Sequence, residues 1–101
     1  MKDLKDITHE DFEACMSDVF TVKIEGDEGP ELELIEVKTF GEADPNANTR
    51  QPFSLLFRGP MEPVLPQRLY DLEHSEQGET MLFLVPIGPD DKGMLYDVTI
   101  N

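Results

Sequence analysis

The chain has 101 residues, enough for one domain and too few for two ordinary cores, so residues 1–101 are read as a single unit. Eight Lys and Arg stand against 22 Asp and Glu, a formal net charge of −14. That balance excludes general phosphate-driven binding of nucleic acid and disfavours anionic membrane surfaces.

A hydrophobic fraction of 39% is gathered in short periodic runs, which separates the chain from disordered acidic segments. The one cysteine, Cys15, rules out an internal disulfide and suits a reducing compartment. No signal-like apolar stretch follows Met1, and no apolar run approaches the ~20 residues of a membrane-spanning helix. A cytoplasmic location is therefore expected.

Thr8 opens the first element as the N-cap of a short helix, with Asp11 as a weak capping-box partner. Ile7 and Phe12 occupy the positions of a hydrophobic staple, and Phe12, Cys15 and Met16 share a helical face. The helix is expected to end near Ser17. From Val19 the period becomes two: Phe20, Val22 and Ile24 alternate with Thr21, Lys23 and Glu25, as in a half-buried strand.

Residues 26–30 (Gly-Asp-Glu-Gly-Pro) read as a turn, after which Leu32 and Leu34 resume the alternation. Ile35 and Val37 then fall on the opposite parity. A β-bulge near Leu34 or burial of both faces would explain this, and the bulge is favoured. The two strands are expected to form a hairpin. Residues 41–51, rich in Gly, Asp, Pro and Asn, form the longest segment without periodicity and a candidate contact loop.

Residues 52–58 form a third strand with Phe53, Leu55 and Phe57 on one face, ended by Gly59-Pro60. Residues 61–66 hold two more prolines and make a stiff extended connection. Residues 68–74 place Tyr70 and Leu72 on one parity. Residues 80–87 are apolar on both parities, which predicts a central strand buried on both faces, with Pro86 near its exit from pairing. Residues 88–93 form a hairpin loop, and residues 94–100 close the chain with Tyr96, Val98 and Ile100 aligned. The expected fold is mainly β: one short N-terminal helix and about six strands in a meander, closed as a small barrel or packed as a two-sheet sandwich.

No familiar catalytic pattern accompanies these elements. Cys15 lies toward the helix C-terminus on its apolar face, where a thiolate is not stabilised. His9, Glu10 and Asp11 fan out by about 100° each on a helix and cannot converge on one metal ion. Asp90-Asp91 lacks the alternating acids of a calcium loop and suits turn chemistry. Gly26 to Gly29 carries two acids that would repel phosphate. The chain is thus read as a non-enzyme, with no catalytic, cofactor or metal residues assigned.

The second half nevertheless has a distinctive pattern: Phe57-Arg58-Gly59-Pro60, then Gln67 to His74 as Gln-x-x-Tyr-x-Leu-Glu-His, then Leu82 to Gly88 as Leu-Phe-Leu-Val-Pro-Ile-Gly, then Tyr96. It resembles an uncharacterised family of small bacterial domains, over about half the chain. The resemblance implies a setting near phage-tail-like or surface assemblies and brings no catalytic residues. It draws attention to Gln67, Tyr70, Glu73 and His74, for which internal bonding is the simpler account. Arg58, in so acidic a chain, is expected to pair with a carboxylate.

Three functional readings follow. The first is a protein-docking module contacting its partner through Met61, Val64 and Leu65 on the proline-stiffened loop, a surface that loses little entropy on binding. The second is an acidic antagonist of a basic protein. The third is a small-molecule binder or cryptic enzyme at the barrel mouth, using Arg58, Tyr70 and His74 with Gln67 and Glu73 nearby. It fails if Arg58, Tyr70 and His74 lie apart.

Overall fold

The computed structural model describes residues 7–41 and 51–100. The candidate loop at 41–51 falls almost wholly outside them. The order of elements is α1 (His9–Glu13), β1 (Val19–Ile24), β2 (Asp27–Thr39), β3 (Phe53–Gly59), β4 (Arg68–His74), β5 (Gly78–Pro89) and β6 (Met94–Ile100). The strands form a closed antiparallel barrel in the order β1-β2-β3-β6-β5-β4, with β4 returning to β1. Among the described residues, no helix is long and apolar enough to cross a membrane.

The helix is shorter than its sequence suggests. It spans five residues, and the chain then turns through Ser17, whose φ is 69°. Its start follows the capping logic: the Thr8 N–H donates to the Asp11 carboxylate at 2.9 Å. Ile7 and Phe12 are fully buried. Phe12 lies 6.4 Å from the Phe20 ring and 5.9 Å from the Phe53 ring, so α1 plugs the barrel end where β1 and β3 begin.

Two corrections concern the first hairpin. The turn is only Glu25-Gly26, both at positive φ (53° and 86°), as a two-residue turn matched to strand twist requires. Gly29 and Pro30 lie inside β2 rather than in the turn. Thr21 pairs with Glu31 and Lys23 with Glu28, so Gly29 and Pro30 together oppose Val22 as a bulge. A Cβ on Gly29 would stand 2.9 Å from the Val22 carbonyl oxygen. The Gly-Pro pair therefore marks a bulge, and the turn lies earlier.

The bulge expected near Leu34 is present. Leu34 pairs with Phe57 and Glu36 with Leu56, leaving Ile35 as the extra residue. Leu32 and Leu34 face inward before it and Val37 packs against the core after it. The parity change is thus absorbed without burying both faces of β2.

The strands are not a simple meander. β3 pairs with β6, and β4 lies on the other side of β5, so residues 60–67 cross the end of the barrel. Leu65 drops into that end and is 3% exposed, which corrects the expectation that it sits on the surface beside Met61 and Val64. Its N–H donates to the Tyr96 hydroxyl at 2.9 Å, and the Tyr70 hydroxyl donates to the Pro66 carbonyl at 2.7 Å. Both ends of the barrel are therefore filled by the chain itself.

The burial of β5 also differs from the expectation. Leu82 and Leu84 are buried, but Met81, Phe83 and Ile87 are exposed, so the strand is buried on one face only. A closed barrel has one interior, and a second apolar row can only face out.

Glycine is required where β3 meets the last hairpin. A Cβ on Gly93 would collide with the Gly59 carbonyl oxygen, a backbone atom that cannot swing away. Gly93→Ala is expected to destabilise the fold by about 1–3 kcal/mol, as overpacking does, read from urea unfolding.

Candidate functional site

Two regions outside the core gather side chains of interest: a polar cleft at the α1 end of the barrel and the outer wall of β4 and β5. The cleft, about 340 Å³, is lined by Asp18, Thr21, Glu31, Glu73, His74 and Glu76, among others. His74 is the last residue of β4, points inward, and is 4% exposed. The Glu76 and Gln77 backbone N–H groups both donate to its Nδ1, at 3.2 and 3.1 Å. Nδ1 is therefore unprotonated, and Nε2 carries the proton and donates it to Asp18 Oδ2 at 2.8 Å. The imidazole also packs on Phe20, with ring centroids 5.0 Å apart.

Cys15 completes a tight group. Ligand atoms of Cys15, Asp18 and His74 lie within 4.8 Å of one another. The group looks like a metal site or a nucleophile with its base, and its wiring suits neither. A metal on Nε2 would move the ring proton to Nδ1, where two N–H donors already point. As a base, Nε2 is already committed to Asp18. Burial and the nearby Asp18 carboxylate push the Cys15 thiol up, away from the thiolate a nucleophile needs. The arrangement instead ties β4's end to the segment entering β1. Sequence reasoning missed Asp18, which lies 56 positions from His74 and carries no local signal.

The other polar candidates are dispersed. Arg58 faces outward on β3 and grips Asp90 through Nε and Nη2, at 3.0 and 2.6 Å. Asp90 also accepts the N–H groups of Lys92 and Gly93, both at 2.9 Å, which shapes the last hairpin. Tyr70 faces the opposite barrel end from His74, about 13 Å away along the strand. Burial raises its phenol above the ordinary range. Glu73 lies 3.6 Å from Lys23 on the outer face, and Gln67 is exposed. Arg58, Tyr70 and His74 therefore do not converge on one mouth.

The outer wall of β4 and β5 is different in kind. Leu69 pairs directly with Phe83, Met81 lies two positions before Phe83 on the same face, and half-buried Val85 lies two positions after. The bulge between Pro86 and Gly88 leaves Ile87 as an extra residue that extends the row. Exposures are 54% for Leu69, 49% for Met81, 43% for Phe83 and 56% for Ile87. The sequence carried this signal as the double parity of β5, which reads equally as double burial.

The fold and these sites define a small closed β-barrel domain, plugged at both ends by its own residues. Residues 7–100 match the family described as Domain of unknown function (DUF6916), and the chain belongs to that family. No curated protein matches the chain, and no solved structure does.

Two measurements follow. The native Cys15 thiol is expected to resist a disulfide exchange reagent and to react stoichiometrically only in denaturant, followed by thiolate release. The Arg58 guanidinium holds the Asp90 carboxyl at about 2, below its ordinary 3.8. Because the folded value is the lower one, the stabilisation is complete above the ordinary value and is lost as pH falls through about 2. The melting-temperature deficit of Asp90→Asn should therefore be full at neutral pH and shrink through that acid window.

Proposed function

We propose that this domain is a non-enzymatic docking module that binds another protein through the outer wall of β4 and β5. The observation that carries the reading is the contiguous apolar surface formed by Leu69, Met81, Phe83, Val85 and Ile87. Single exposed hydrophobic residues are ordinary, whereas a row running along one strand with a cross-strand partner is what an interface core needs. Met61 and Val64, also exposed, lie on the end-crossing loop and stay candidates for its margin. The setting implied by the sequence resemblance is a larger, phage-tail-like or surface assembly.

The small-molecule reading is not favoured. Its polar groups are spread over two ends and the outer wall, and α1 and Leu65 occupy the ends where a ligand would enter. The acidic-antagonist reading shares a partner chemistry with the docking wall.

Replacing Phe83 with a photo-crosslinking phenylalanine derivative in the native cell should yield a discrete protein adduct. The same substitution at Glu36, on the outer face of β2 and diametrically across the ring, should not. Adducts of equal yield at both positions, or none at Phe83, would sink the proposal.

A further inference from the structure

Resting on that docking reading, we infer that the partner presents an apolar segment flanked by Lys or Arg, and that the site is built to read both features together. Asp71 is the cross-strand neighbour of Met81, Asp97 that of Val85, and Glu79 that of Glu73, all on the outer face. Carboxylates thus stand beside the apolar side chains along both flanks and at one end. Among the described residues, no ion pair reaches Asp71, Glu79 or Asp97, and Asp97 is held only by the Thr99 hydroxyl at 3.2 Å.

Among the described residues, the cations of β1 and β4 are already engaged. Lys23 is the cross-strand neighbour of Asp71, yet its ammonium is turned to Glu73 at 3.6 Å and Glu28 at 3.8 Å, and the Arg68 guanidinium sits 4.9 Å from the centre of the Tyr70 ring. The wall therefore offers an apolar centre within a negative rim. A second copy of this chain would bring two such rims together, each on a molecule of charge −14. Like charges facing each other across an interface are costly, so the rim selects against self-pairing. An anionic lipid surface is repelled by the same carboxylates. A protein segment with basic residues beside apolar ones satisfies both parts of the wall. Its encounter would be steered by charge and its hold supplied by apolar contact.

The test is selection of random 15-residue peptides displayed on phage, with the full chain as bait, compared with two variants. Phe83→Glu removes the apolar centre, and Asp71→Lys with Glu79→Lys and Asp97→Lys reverses the rim. These side chains face outward, and circular dichroism with a melting curve checks each fold; Met81→Glu replaces Phe83→Glu if that variant unfolds. The wild-type chain should select peptides with Lys or Arg beside apolar residues. Rim reversal should weaken them by at least ~10-fold, as should raising salt from ~50 to ~500 mM.

Peptides that need Phe83 yet show no basic enrichment and tolerate the reversed rim would overturn the inference while leaving docking intact. Peptides that bind Phe83→Glu equally well, or a wild-type chain that selects none, would overturn the docking reading itself. A concentration-dependent dimer abolished by Phe83→Glu would name a second copy as the occupant and overturn the basic partner.

Discussion

The pairing of β1 with β4 sets the conditions for the rest of the molecule. Phe20 lies against His74 and Val22 against Leu72, and that ladder converts an open sheet into a ring. Closure gives every strand a hydrogen-bonded neighbour on both sides. It also forces residues 60–67 across the end of the barrel, because β6 and β5 come between β3 and β4. Leu65 and the hydroxyls of Tyr96 and Tyr70 secure that crossing. At the other end, Phe12 and the His74–Asp18 bond fix α1 and the entry to β1.

Closure also decides where chemistry can sit. A six-stranded ring is narrow, and its interior is filled by Phe20, Phe57, Leu72, Leu82 and Tyr96. The inward polar groups serve as internal fasteners. His74 spends both ring nitrogens on the protein, and each tyrosine hydroxyl bridges to the crossing loop. Surplus apolar residues cannot enter a full interior, so they stand on the outer wall. The acidic composition then acquires a local meaning there, because Asp71, Glu79 and Asp97 border the apolar row.

The bulges show how sequence and ring geometry trade off. Ile35 absorbs a parity change that was visible in the sequence as Leu34 followed by Val37. Gly29-Pro30 carried the signature of a turn, yet a two-residue turn at Glu25-Gly26 fits the strand twist, and the Gly-Pro pair relaxes the ladder instead. Ile87 is the third extra residue, and it extends the exposed row where β5 bends toward the last hairpin.

The sequence by itself determined the number of strands and their order along the chain, the start of α1, the bulge at Leu34 and the inward set Phe53, Leu55, Phe57, Tyr96, Val98 and Ile100. Each depends on spacing within a few residues, which a linear pattern records. Only the tertiary structure decided that the strands close with a crossing, that Leu65 is buried, that Asp18 meets His74, and that one apolar parity of β5 faces solvent. These depend on which distant segments become neighbours, and on a ring having a single inside. Hydrophobic periodicity shows that a strand has two apolar faces, but it carries no information about which of them the closed barrel has room to bury.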